Sequence, residues 1–131
     1  MSSASDVVLD SSVLLAYLQR EKGAEAVLFL LERAVMSSVN LAEVRTRLID
    51  LGERAVEAAE PVLQLVRRIE PFTEEDALTA SSLRKTTSHA GLSLGDRACL
   101  ALGITLGAEV YTADKVWSKL GDVGCKIHML R

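Results

Sequence analysis

Aromatic side chains are scarce in this 131-residue chain: one Trp, two Tyr and two Phe make up 4% of it. The core must therefore be filled by Leu, Val and Ala. Cysteine is just as rare. Cys99 and Cys125 stand alone and far apart, with no CxxC spacing, so no disulfide framework is expected. Both read as buried thiols rather than redox or zinc groups. Long apolar runs are missing too. The longest, residues 27–31 and 98–104, fall far short of the roughly 20 residues that span a bilayer. Residues 1–5 are small and polar, without the basic and apolar blocks of a secretory signal, and no lipidation motif is present. No membrane association is expected, and the expected location is the cytoplasm. Finally, there is no excess of basic charge: 15 Lys and Arg face 18 Asp and Glu, for a net charge of −3. That argues against a free-standing nucleic-acid binder with a basic surface. It does not exclude a nuclease whose acidic metal site sits inside a locally basic rim.

The length fits one domain, residues 1–131, with one core. Residues 7–9, Val-Val-Leu, read as a buried strand ending at Asp10. Residues 13–19 read as an apolar helix opened by Ser11 and Ser12, and residues 24–33 as a second helix. Residues 34–38 are a short strand. Leu41, Val44, Leu48 and Leu51 recur at helical spacing, so residues 40–51 read as an amphipathic helix capped by Asn40 and stopped by Gly52. Residues 53–68 are helical again, with Pro61 expected to break, kink or restart the helix. A strand over residues 69–72 follows. Thr73 and Asp76 have capping-box spacing, which starts a helix running to about Lys85. Residues 86–91 read as a polar loop, 94–106 as a very apolar helix, 109–112 as a strand and 125–130 as a last strand.

Strands alternating with helices predict an α/β fold, with a central, mostly parallel sheet covered on both faces. The helix over 94–106 is apolar nearly all round, so it should be buried. In open α/β sheets, sites form beyond the carboxyl ends of the strands. Asp10 and Asp114 each follow a strand, while Glu43 and Asp96 stand near helix starts at that same edge. Each acid has a plain alternative. Glu43 and Asp96 have capping spacing, Asp10 suits a turn, and Asp114-Lys115 suits a solvated loop. Taken together, four acids at one edge repel one another unless something positive sits among them. Hard oxygen ligands suit Mg²⁺ or Mn²⁺ rather than zinc.

In order, "VVLDSSVLLAYL", "SSVNLAEVRTRL", "LSLGDRACLALG" and "VYTADKVW" resemble the four acidic motifs of PIN-domain nucleases. The compact length and the helical segment between the second and third motifs resemble the VapC-type toxins of bacterial and archaeal toxin–antitoxin pairs. The resemblance implies a single PIN-like domain, a three-layer α/β/α sandwich. It implies a metal-dependent endoribonuclease with Mg²⁺ or Mn²⁺ as cofactor and RNA as substrate. It also implies homodimers, or a larger toxin–antitoxin assembly, and a cognate antitoxin protein that blocks the site. Carried over by position, the metal-binding acids are Asp10, Glu43, Asp96 and Asp114, with Ser12 and Thr112 as supporting hydroxyls. One departure is Asn40 in "NLAE", where a hydroxyl residue is frequent in the family.

By the same resemblance, the products carry a 5′ phosphate and a 3′ hydroxyl. Asp10, Asp96 and Glu43 are the expected metal ligands, and Asp114 would hold a second ion or bind through water. No histidine is needed; His89 and His128 read as structural or solvent-facing. Arg84, Lys85 and Lys115 are candidate RNA phosphate contacts, and Trp117 is expected to pack against the domain. The apolar stretch at residues 27–31 exceeds what one helix face requires and suits an antitoxin groove or a dimer interface. Two other readings exist. A catalytically inactive PIN-like RNA- or protein-binding module would have no reason to keep four mutually repelling carboxylates. A phosphoryl-transfer domain using Asp10 as nucleophile would need a supporting lysine motif, and no convincing one is present.

Overall fold

In the computed structural model, which describes residues 6–130, five short strands form a single sheet. They are β1 (Val7–Leu9), β2 (Ala34–Ser37), β3 (Arg68–Glu70), β4 (Glu109–Thr112) and β5 (Ile127–Met129), in the order β3-β2-β1-β4-β5. Every neighbouring pair is parallel, with Val8 opposite Val35 on one side and Val110 on the other. Strand side chains point alternately to the two faces. Val7, Leu9, Ala34 and Met36 therefore join one apolar cluster, while Val8, Val35 and Val110 join another. Parallel sheets need both faces covered, and helices supply the cover. The first face is closed by α1 (Ser11–Leu18), α2 (Val27–Leu30), α3 (Ser38–Leu51) and α4 (Glu53–Leu63). The second is closed by α7 (Leu94–Leu106) and the single-turn helix at Lys115–Lys119, which brings in Trp117. Helix α5 (Glu74–Ser82) packs along α7, and α6 (Arg84–Thr87) continues from it. The result is the expected three-layer sandwich, with a sheet that is parallel throughout. No helix among the described residues is long and apolar enough to cross a membrane.

Helix α7 carries the second core. Ala98, Cys99, Leu100, Ala101 and Leu102 are all buried, as its apolar composition predicts. Gly103 lets it lie directly on the sheet: a Cβ there would stand 2.4 Å from Val110 Cγ2. At its start, Ser93 and Asp96 form a reciprocal capping box.

Several elements differ from the sequence reading. The helix expected over 24–33 is three short pieces: single turns at Ala24–Ala26 and Leu31–Arg33 flank α2. Its apolar residues divide accordingly, with Val27, Leu30 and Leu31 in the core and Leu28 and Phe29 facing out. Helix α3 begins at Ser38, not beyond Asn40. Its cap is Ser37, whose hydroxyl accepts from the Val39 N–H at 3.2 Å. Helix α4 stops at Leu63, and Pro61 sits in its last turn without breaking it. A proline there forfeits only one hydrogen bond near an end that would close anyway. Strand β3 is shifted to Arg68–Glu70, where register with β2 decides pairing. The loop expected at 86–91 is largely helical turn, at α6 and Ser88–Ala90. Cys99 is buried as expected, but Cys125 is only half-buried. Residues 1–5, read above as a small polar stretch, lie outside the described residues.

Candidate active site

The chain runs from β1 outward to β2 and β3 on one side, and returns to β4 and β5 on the other. The crevice beside β1 is the place where such a sheet holds a site. Two neighbouring strands end there, β1 just before Asp10 and β4 in Thr112, two residues before Asp114. Helix α3, leaving β2, brings Asn40 and Glu43 in its first turns, and α7 brings Asp96.

Asp10 is the centre. The residue is 2% exposed. Oδ2 accepts from Ser12 Oγ at 2.6 Å and from Thr112 Oγ1 at 3.1 Å, while Oδ1 is buried with no hydrogen-bond partner. Although Asp10 occupies the cap position of α1, its side chain makes no capping bond. Burial pushes the Asp10 carboxyl up to about 6, against the pull of the Ser12 and Thr112 hydroxyls, and the charges of Asp96 and Glu43 add to the rise. The two hydroxyls are themselves anchored: Ser12 Oγ accepts from Ala113 N at 2.9 Å, and Thr112 Oγ1 from Asp114 N at 3.1 Å.

The other three acids are arranged alike. Each commits one oxygen to the protein and makes no hydrogen bond with the other among the described residues. Glu43 Oε1 accepts from Asn40 Nδ2 at 2.9 Å and Ser11 Oγ at 3.0 Å. Asp96 Oδ2 accepts from Ser93 N at 2.9 Å. Asp114 Oδ1 accepts from Val116 N at 3.1 Å, capping the turn at Lys115–Lys119. Asp96 is thus a capping residue and also a member of the acidic group. Desolvation raises its carboxyl above the ordinary value, the Ser93 bonds oppose that, and the charges of Glu43 and Asp114 raise it further.

No three Asp, Glu, His or Cys side chains among the described residues are already gathered as a cage for one ion. A hard dication needs no such cage, because Mg²⁺ keeps several waters and is commonly held through one or two carboxylates. A buried carboxylate oxygen without a donor, next to further carboxylates, fits such a cation. No Lys or Arg among the described residues forms an ion pair with Asp10.

Among the other residues named from sequence, Arg84, Lys85 and Lys115 are exposed. His89 meets the Lys119 carbonyl oxygen at 3.1 Å. His128 stacks on Tyr111 and pairs with Glu109 across the β4–β5 edge. Neither histidine takes part among the acids, and Trp117 is buried packing. Sequence reasoning missed Ser11 and misassigned Asn40. The signal for Asn40 was a polar amide three residues ahead of Glu43, which reads equally well as a cap.

The PIN domain family matches residues 7–123. The chain belongs to the PIN-domain family. Solved structures extend the match across the fold. This PIN domain superposes on a chain of DNA-bound VapBC from Salmonella typhimurium with a TM-score of 0.77 at 15% identity, covering 96% of this chain and 98% of that one. For a toxin–antitoxin complex from Klebsiella pneumoniae the values are 0.75, 16%, 96% and 98%. For VapC20 of Mycobacterium tuberculosis, a sarcin-ricin loop cleaving toxin, they are 0.72, 23%, 86% and 93%. At these identities the likeness establishes the PIN fold itself. No curated protein sequence is a significant match to the chain.

Proposed function

We propose that this PIN domain is a metal-dependent endoribonuclease and the toxin of a toxin–antitoxin pair. The observation that carries the reading is Asp10 Oδ1, a buried carboxylate oxygen with no donor, beside the charges of Asp96 and Glu43. Asp10 Oδ1 and the uncommitted oxygens of Asp96 and Glu43 would hold Mg²⁺ or Mn²⁺, with Asp114 serving a second ion or acting through water. A bound dication supplies neutralisation at phosphate oxygens and makes water acidic enough to attack. The chain's own residues do the positioning. Ser12 and Thr112 hold Oδ2 of Asp10 and leave Oδ1 without a donor. Ser93 fixes Asp96, and Asn40 and Ser11 fix Glu43. An uncommitted carboxylate oxygen accepts the proton of the attacking water. The water oxygen bonds to phosphorus, the bond to the 3′ oxygen breaks, and that oxygen takes up a proton from solvent as it leaves. The products are a 5′ phosphate and a 3′ hydroxyl. Arg84, Lys85 and Lys115 are exposed cations suited to RNA phosphates.

The structural relatives support the biological setting: the Salmonella protein is part of a DNA-bound VapBC complex, the Klebsiella protein of a toxin–antitoxin complex, and the Mycobacterium protein is a sarcin-ricin loop cleaving toxin. The proposed partners are RNA, a second copy in a homodimer, and a cognate antitoxin that places a basic side chain among the acids, where charge-assisted bonds are strong. The outward-facing Leu28 and Phe29 offer that partner an apolar edge.

The test is direct. Purified protein should cut single-stranded RNA in Mg²⁺ or Mn²⁺, stop in excess chelator, and lose cleavage in Asp10→Asn. Expression alone should arrest bacterial growth. Cleavage that persists in chelator would overturn the metal mechanism.

A further inference from the structure

Asn40 is wholly buried, yet it sits in the first turn of α3, where Ser37 already provides the cap. Its amide nitrogen donates twice, to Glu43 Oε1 at 2.9 Å and to the backbone carbonyl of Gly95 at 3.0 Å. Both neighbours are acceptors, so only the NH₂ end of the amide can face them. Its own Oδ1 is buried and unpaired. A buried polar atom without a partner is costly, and here the cost accompanies two bonds, one within α3 to Glu43 and one that ties α3 to the first turn of α7. A serine or threonine hydroxyl at this position has a single proton and could serve only one of the two acceptors.

Gly95 is the other half of the arrangement. A Cβ there would stand 2.1 Å from Glu43 Oε2, 2.5 Å from Cδ and 2.8 Å from Oε1. The Glu43 carboxylate therefore lies in the space that a side chain at residue 95 would fill. It rests directly on the turn that presents Asp96.

The geometry points to Asn40 and Gly95 as a positioning clamp for Glu43. Asn40 grips Oε1 and the α7 backbone together, and the missing Cβ at Gly95 leaves room for Oε2 beside Asp96. The clamp rests on the proposed metal-dependent function, which gives Oε2 its role. Asn40 and Gly95 are positioning residues, acting only through Glu43.

Gly95→Ala is the sharpest probe. The added methyl meets the far end of a flexible side chain, so Glu43 rather than the backbone moves, and the helical preference of alanine over glycine offsets the bonds lost from Asn40 and Ser11. Mn²⁺ affinity, read by electron paramagnetic resonance, should fall about 10- to 100-fold, the usual loss when a residue orienting a metal ligand is removed. The melting temperature in chelator should hold or rise. A residue needed only for packing would show the reverse, a lower melting temperature with unchanged affinity, and that result overturns the clamp. Asn40→Ala should lower affinity similarly. Combined with Glu43→Ala it should add nothing to the loss from Glu43→Ala alone, whereas additive losses would contradict action through Glu43. The same cycle run on urea unfolding in chelator needs no metal. If the parent binds no Mn²⁺, the proposed function fails. The clamp then stands on coupling between Asn40 and Glu43 in that cycle and falls if their effects are additive.

Discussion

Asp10→Asn should make the metal-free protein more stable, by an amount that depends on pH. The Asp10 carboxyl is held at about 6 against an ordinary 3.8. The folded state thus binds the proton more tightly than the unfolded state, and ionisation opposes folding. The penalty is absent below the ordinary value, grows as pH rises, and is complete above 6. Its full size at neutral pH is about 3 kcal/mol, and at pH 4.5 about 1 kcal/mol. Asparagine removes the charge and keeps one oxygen to accept from Ser12 and Thr112. Its NH₂ replaces the unpartnered Oδ1 and faces the Glu43 and Asp96 charges. In chelator at pH 8, the variant should melt roughly 9–15 °C higher, at about 3–5 °C per kcal/mol for a domain of this size. At pH 4.5 the gap should shrink to about a third of that. Saturating Mn²⁺ should narrow the gap at pH 8, since a ligand at a hundredfold excess over its Kd adds about 2.7 kcal/mol to the state that binds it and the variant binds it more weakly. Thermal melts of both proteins at the two pH values, with and without metal, give all of these readings. A variant less stable at pH 8 in chelator, or a gap that ignores pH, would refute the burial argument.

Asp96→Asn retains an oxygen for the Ser93 N–H, so its unfolding free energy from urea titration in chelator should stay within about 1 kcal/mol of the parent while RNA cleavage falls to background. Thr112→Val removes a donor to Asp10 and the acceptor for the Asp114 N–H in a fully buried position. Equilibrium unfolding should show a loss of about 1–3 kcal/mol. Gly103→Ala drives a methyl against Val110 and should cost about 1–3 kcal/mol by overpacking. Because residue 103 lies well along α7 from Asp96, cleavage per folded molecule in the cold should not change.

The fold was legible where sequence period and burial agree. Val7–Leu9 is a continuous apolar run led by two β-branched valines and is wholly buried, and α7 is apolar over most of its surface, with residues 98–103 all buried. The Thr73–Asp76 and Ser93–Asp96 capping boxes were equally plain, because their spacing is local. Legibility failed where tertiary contacts override local signals. Residues 24–33 have helical composition, but their apolar residues are divided between core and surface and the helix breaks into turns. Asn40 has the chemistry of a cap, and only the approach of α7 shows that its amide is used 55 residues away, at Gly95. The four acids could be assigned to one sheet edge from strand ends and helix starts. Which oxygen of each is committed, and which is left bare, depends on neighbours such as Ser12, Thr112 and Ser11 that no spacing rule identifies.

The claim at the centre of this account is that Asp10 organises a divalent cation site. Titrating Mn²⁺ into the parent and Asp10→Asn at pH 8, with free Mn²⁺ followed by electron paramagnetic resonance, tests it most directly. The account predicts saturable binding by the parent and, for the variant, a Kd weakened at least about tenfold, the scale set by losing even an outer contact of a metal site. Equal binding by the two proteins, or no binding by the parent across the millimolar range, would contradict it.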